Sequence, residues 1–343
     1  MNKTPKTVEE VAARLGLSRS TVSYILNDKW ESRRISKETA RKVLDYVREK
    51  GFQPNILGLA LKGKTVKEIA VIIPVNPLEH HKQAFFRLIK ELEQSQKSYI
   101  VLPVSERNII ETMQFIRIYR VKRLIFIAHI FNENNLDTWK NAISGFNDME
   151  YLLYDFPFEG IRVGDMLKPG NNIAVGFNRD HARQKIADYI IDAGYKNLVI
   201  PQGWNQRVAE TIDGKRGYRV ETYDFINFNS LLKTGENIAV QLLKLFEPGT
   251  RKAVYVNDDH TTLVVIKYLL DRGVKIPQDM AFISWDGLPE SNYFSIPLTT
   301  LEVPHEQMMS YTLDWINGRK FRAKTIIINP AIRSGESLPP VKK

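Results

Sequence analysis

Apolar positions follow two different rhythms along this chain. In the first fifty residues they recur at three- and four-residue intervals. Val8, Val11, Ala12 and Leu15 make one stripe, Val22, Ile25 and Leu26 a second, and Ala40, Val43, Leu44 and Val47 a third. That spacing predicts three short helices, each with one buried face. Thr7 followed by Glu10 forms a capping box for the first helix, and Gly16 supplies the left-handed stop. Ser18 is an N-cap for the second helix. The third is expected from about Ser36 to Lys50, closed by Gly51. The second helix turns Arg19, Ser20, Ser23 and Tyr24 away from its partner. Short polar and basic groups near a helix N-terminus are what a helix-turn-helix reader places in the DNA major groove.

From residue 69 the rhythm changes. Apolar runs at Ile69–Val75, Tyr99–Val104, Leu124–Ala128 and Tyr151–Tyr154 alternate with helical patterns near 79–95, 108–119 and 134–144. A second series follows at Ile173–Gly176, Leu198–Pro201, Tyr218–Phe225, Ala253–Val256 and Ala281–Ser284, with helices near 179–193, 205–212, 230–246 and 260–272. Short apolar strands alternating with helices define an α/β class with parallel sheets covered on both faces. Two such series predict two similar lobes. Turn residues around Lys168-Pro169-Gly170-Asn171-Asn172 mark the expected passage between them. The resulting division is a helix-turn-helix head over 1–53, a hinge and linker over 54–66 and a two-lobed body over 67–343. Lobe crossings are expected near 168–172, 286–290 and 318–325.

Charge sharpens the division. Residues 1–64 hold 14 Lys/Arg against 7 Asp/Glu, so the head carries most of the net +10 of the 343-residue chain. A basic head on a nearly neutral body is the electrostatic footprint of nucleic-acid binding. The absence of cysteine excludes a disulfide framework and a thiolate metal site, in keeping with a reducing cytoplasm. No apolar run reaches the roughly 18 residues of a membrane span, and no signal peptide is read at the start.

Ligands of open α/β sheets sit beyond the carboxyl ends of the strands. Those ends carry Asn76, Ser105, His129, Asp155, Trp204, Phe225, Asp258 and Trp285-Asp286. Aromatic faces, carboxylates and amides together suit a small polar or polyhydroxylated ligand. Catalytic patterns are lacking: there is no G-x-S-x-G, G-x-G-x-x-G or H-E-x-x-H. Gly58 to Thr65 spell G-x-x-x-x-G-K-T, but Pro54 and a helix precede them and a strand follows, the reverse of a phosphate loop. His80 and His81 are adjacent and diverge on a helix, so they read as a solvated pair. Asp258-Asp259-His260 reads as a turn with a helix N-cap. Neither metal nor cofactor is expected.

The head from Thr7 to Asn27 reads T-V-x-x-V-A-x-x-x-G-x-S-x-x-T-V-S-x-x-L-N and is followed by Gly51-Phe52-Gln53-Pro54-Asn55. Further on come Asp192-Ala193-Gly194-Tyr195, the segment Asp271 to Asp279, Trp285-Asp286, Ile296 to Leu301 and Asn329 to Ser334. In these motifs and their order the chain resembles the lactose-repressor (LacI/GalR) family of bacterial transcription regulators over nearly its whole length. The resemblance implies a cytoplasmic homodimer, a repressor that binds a pseudo-palindromic double-stranded operator through its heads. It also implies a body similar to periplasmic sugar-binding proteins that holds a small-molecule effector. It places Arg19, Ser20 and Tyr24 at base-reading positions and Ser18, Thr21 and Asn27 at backbone contacts. Thr7, Ser23, Asn55 and Lys62 complete the DNA-facing set, and Leu61 matches a leucine wedged into the minor groove, where an apolar side chain kinks the duplex. In the body it implies effector contacts at Asp155, Arg207, Phe225, Asp258 and Asp286, beside Asn76 and His129 from the strand ends. A DNA-binding regulator whose body is only a dimerisation scaffold, or which takes a protein corepressor, is the alternative. An enzyme is not expected.

Overall fold

A computed structural model describes residues 5, 7–26, 29–50, 52, 69–119, 121–127, 135–144, 149–156, 166–167, 170–203, 217–228 and 230–341. Expectations for Asn27, the hinge with Asn55, Leu61 and Lys62, the Gly58–Thr65 pattern, His129, the helix near 205–212, Trp204 and Arg207 fall outside these residues.

The head consists of α1 (Val8–Leu15), α2 (Arg19–Leu26) and α3 (Lys37–Glu49). Local chemistry fixes each boundary. Thr7 Oγ1 accepts the Glu10 N–H at 3.2 Å, Ser18 Oγ accepts that of Thr21 at 3.0 Å, and Ser36 Oγ that of Thr39 at 3.1 Å. Gly16 closes α1 at φ 68°. Val11, Ala12, Val22, Ile25, Ala40, Val43 and Phe52 then pack into one small core. Leu44, expected in that stripe, is instead exposed on α3.

The body begins with β1 (Ile69–Pro74), α4 (Glu79–Gln94), β2 (Tyr99–Val104), α5 (Ile109–Ile118), β3 (Arg123–Ile127), α6 (Leu136–Ser144), β4 (Glu150–Tyr154) and β5 (Ile173–Gly176). It continues with α7 (Arg179–Asp192), β6 (Asn197–Pro201), β7 (Arg219–Tyr223), α8 (Leu231–Lys244), β8 (Lys252–Tyr255), α9 (Asp259–Leu270) and β9 (Met280–Asp286). Beyond the last expected strand the structure adds β10 (Thr299–Glu302), α10 (His305–Ile316), β11 (Thr325–Ile327) and β12 (Ala331–Arg333). Two six-stranded sheets result, ordered β11-β5-β4-β3-β1-β2 and β12-β10-β9-β8-β6-β7. All described pairings are parallel except β10 with β12. This is the expected α/β, two-lobed architecture.

The three lobe crossings lie elsewhere than expected. β5 pairs with β4 through Leu152–Ile173 and Tyr154–Val175, so the chain is still in the first sheet after Asn172 and leaves it only beyond Gly176. Gly170, Asn171 and Asn172, the described residues of that turn, precede β5 within the same lobe. The second crossing follows Glu302, because β10 still pairs with β9, and not 286–290. The third falls between β11, beside β5 in the first sheet, and β12, beside β10 in the second, which is later than 318–325. One buried apolar cluster contains Val71 and Tyr154 of the first sheet, Tyr255 and Trp285 of the second, and Ile186 of α7 and Trp315 of α10. The lobes are thus joined by packing as well as by chain.

Candidate functional site

On the head, α2 buries Val22 and Ile25 and leaves Arg19 and Ser20 exposed, with Thr21, Ser23 and Tyr24 partly so. Ser18 and Thr21 link their hydroxyls at 2.8 Å. Arg19 is held across the helix pair by Glu9, Nε to Oε1 at 2.6 Å. Both side chains are about half exposed, so this pair orients Arg19 more than it stabilises the head. The Arg33 guanidinium lies 4.8 Å over the Tyr24 ring, which turns that ring toward the basic loop.

In the body, helices that follow parallel strands start at the strands' carboxyl ends, so the first turn of α4 and the ends of β4 and β9 face a common space. A cleft of about 870 Å3 opens there, lined by Asn76, Phe225, Asp258 and Asp286 among the expected residues. Glu79, His80, Lys82, Arg179, Arg183, Tyr255, Asn257, His260 and Trp285 also line it. Asp258 has a structural task as well: its Oδ1 accepts the Thr261 N–H at 2.7 Å and caps α9, as the turn reading anticipated. Asp259 points inward, accepting hydrogen bonds from Ser284, from Thr300 at 2.7 Å and from the Leu288 N–H at 2.8 Å. Ser105 does not line the cleft; its N–H donates to Asn108 Oδ1 at 2.7 Å, closing the turn after β2.

Asp155 is at the site but beneath its surface, fully buried. Its Oδ2 accepts from His81 Nε2 at 2.6 Å and from the Arg179 guanidinium at 2.9 Å, with His80 Nε2 at 3.5 Å. His80 Nδ1 donates to Asp286 Oδ1 at 2.8 Å. A carboxylate is an acceptor, which assigns the proton to these ring nitrogens. The solvated reading of the histidine pair is therefore overturned: His80 and His81 are 4% and 0% exposed. Successive helix residues do diverge, but Asp286 meets one ring and Asp155 the other. Asp155 and Asp286 both have left-handed backbone, φ 54° and 115°. Such residues persist only where the surroundings over-determine them.

Burial disfavours a charged His80, but Asp286 and Asp155 outweigh it and push its pKa up to about 9. Burial raises Asp286 to about 6 against the pull of His80. Burial would also raise Asp155, yet Arg179 and the two histidines hold it well below the ordinary carboxylate range. His305, whose Nδ1 lies 2.9 Å from the Tyr154 hydroxyl, is pushed down to about 3 by burial and by the charge of His80. At neutral pH the Arg179 guanidinium and the His80 imidazolium thus stand against the carboxylates of Asp155 and Asp286. His80, His81 and Asp155 bring ligand-type atoms within 4.8 Å of one another. A divalent ion does not fit that trio, since the Arg179 guanidinium already occupies the shared carboxylate oxygen and would sit beside it.

His80, His81, Arg179 and His305 were not among the expected site residues. The available signal was positional: His80 and His81 lie in the first turn after β1, and Arg179 in the first turn after β5.

The fold and cleft define a two-lobed ligand-binding body joined in one chain to a helix-turn-helix head. Residues 7–55 match the lacI family of bacterial regulatory proteins, and residues 184–338 match the periplasmic binding protein-like domain. By these matches the head is a lacI-type DNA-binding domain and the body is periplasmic-binding-protein-like, the make-up of a DNA-binding transcriptional regulator. It is 24% identical over 305 residues to the HTH-type transcriptional repressor PurR of Histophilus somni, covering 86% of each protein. Its fold matches that of the lac repressor dimer bound to operator and the anti-inducer ONPF, with a TM-score of 0.70 at 16% identity over 98% of this chain and 99% of that one. It also matches the glucose-bound CCPA regulator of Weissella paramesenteroides, with a TM-score of 0.61 at 13% identity over 80% of this chain and 99% of that one. Among the described residues no helix is long and apolar enough to cross a membrane.

Proposed function

We propose that this protein is a cytoplasmic homodimer that binds a pseudo-palindromic operator, with an affinity set by a small, sugar-like effector in the interlobe cleft. The observation that carries the DNA half is α2, whose apolar face is spent on the head core while Arg19, oriented by Glu9, and Ser20 remain exposed on the outer face. In this reading Arg19, Ser20 and Tyr24 read base edges and Thr7, Ser18, Thr21 and Ser23 set the head on the backbone. Asn27, Asn55, Leu61 and Lys62 extend the contact through the hinge over 54–66. Phe86 on α4, the helix that leads from β1 to the edge strand β2, is 68% exposed and supports a dimer, because an exposed large apolar residue calls for a partner surface. The cleft, with Asn76, Phe225, Asp258 and Asp286 on its wall, supports the effector. His129 and Arg207 are assigned to it by the resemblance, as is Asp155 behind His80.

Selection of bound duplexes from a random pool, with sedimentation of the complex, tests this reading. A symmetric site carrying two chains is expected. Uniform affinity for all duplexes would refute it. A thermal-shift panel of sugars and nucleosides addresses the effector, since a ligand that binds only the folded state raises its stability. The second reading, a body that works without an effector or with a protein corepressor, is favoured by one observation: His80 already occupies Asp155 and Asp286.

A further inference from the structure

His80 stands between two carboxylates that belong to different lobes. Asp155 terminates β4 of the first sheet and Asp286 terminates β9 of the second, while His80 is carried on α4, directly after β1 of the first. We infer that His80 is an internal latch: its imidazolium ties the Asp286 end of the second lobe to the Asp155 end of the first and holds the cleft closed with no effector bound. This rests on the cleft being the sensing site proposed above, and it changes what sensing means there. An effector acts on lobes that are already fastened.

Three features support the latch. The 2.8 Å bond from His80 Nδ1 to Asp286 ties α4 of the first lobe to the end of β9 in the second, and Arg179, on α7 beyond the crossing after Gly176, meets Asp155 across the same boundary, while His81 meets it from α4. His80 Nε2, buried and lacking a hydrogen-bond partner at ordinary distance, stands 3.5 Å from Asp155 Oδ2, so a small closing movement would complete the bridge. The Phe177 and Trp285 rings, at the ends of β5 and β9, meet across the same gap with centroids 5.8 Å apart. Apolar packing thus shields the bond from water, where a charge-assisted bond is strongest. The carboxylates that hold His80 also keep it protonated at neutral pH.

A distance measurement tests the latch. The chain has no cysteine, so Glu111→Cys on α5 and Lys233→Cys on α8, both exposed, carry one spin label per lobe in the full-length protein. Labelled chains are diluted with unlabelled chains so that only intramolecular distances are read. Without added ligand a single short distance is expected. His80→Gln and Asp286→Asn should each lengthen it by several ångströms or split it into two populations. Unchanged distances in both variants, with native near-ultraviolet circular dichroism, would overturn the latch. Should His80→Gln fail to fold, Asp286→Asn alone decides. Operator binding is measured on the same samples. Lost selectivity with intact latch distances counts against the regulator reading, whereas intact selectivity with unmoved distances counts against the latch.

Discussion

The first turns of α2 and α4 are chemically alike and physically opposite. Each presents polar, potentially cationic residues at the start of a short amphipathic helix. On α2, Arg19 and Ser20 remain in water, with Glu9 as a loose partner. On α4, His80 and His81 are buried and bonded to carboxylates 206 and 74 residues away in sequence. The difference lies in what stands opposite: solvent and a half-exposed Glu9 in the head, and two strand-terminal aspartates in the cleft. An exposed polar helix face is free to recruit a ligand, and a buried one has already found its partners within the chain.

The largest expected effect breaks the buried side. Asp155→Ala leaves Arg179 and His80 without their shared counter-ion and should cost the body ~3–5 kcal/mol in denaturant unfolding. A loss below about 1 kcal/mol would mean that water already solvates the network. Next comes pH. His80 titrates near 6.5 when unfolded and at about 9 when folded, so its contribution is fully present below about pH 6.5 and is lost as pH rises through 9. Stability should fall by roughly 2–3 kcal/mol across that window in the wild type, and His80→Gln should flatten the slope. An identical slope in the variant would assign it to other groups. Asp286 and His305 titrate in the fold at about 6 and about 3, so their own changes lie at more acid pH.

The exposed side answers to DNA. Arg19→Ala should reduce discrimination between operator and random duplex by ~1–3 kcal/mol if the guanidinium pairs with guanine, while unfolding of the body stays unchanged. Equal loss on both duplexes in a binding titration would make Arg19 a phosphate contact. The smallest effect is Ser18→Ala, which removes the cap of α2 and should lower head stability by about 1 kcal/mol. Head and body melting followed separately would detect it.

What could be read in advance follows the range of the interaction. Thr7, Gly16 and Ser18 set the ends of the head helices through contacts within a few residues, and those boundaries stand. The run Ile69–Pro74 is fully apolar up to its end and could only be a buried strand. Asp258 and Asp286 were legible as strand-end residues because a parallel sheet puts its loops on one rim. The Lys168–Asn172 turn was misassigned because turn residues announce a change of direction and carry no information about which sheet comes next. The burial of His80 depends on the return of β9 two hundred residues later, and no local pattern records that. The resemblance pointed to Asp155 and Asp286 as ligand contacts without revealing that the chain itself supplies a partner for both.

The late edge strands carry a consequence for how the body holds together when cut. β11 closes the first sheet and β12 the second, and both come from the last stretch of the described chain. A nick after Gly176 would leave β11 on the fragment that otherwise builds the second lobe. A nick after Glu302 would leave an edge strand of each sheet on the shorter piece. Neither break separates the lobes, for the fragments remain interwoven like two hands with a finger exchanged. A protease that opens the backbone at a crossing should therefore yield a nicked body that still migrates as one particle and comes apart only when the sheets unfold.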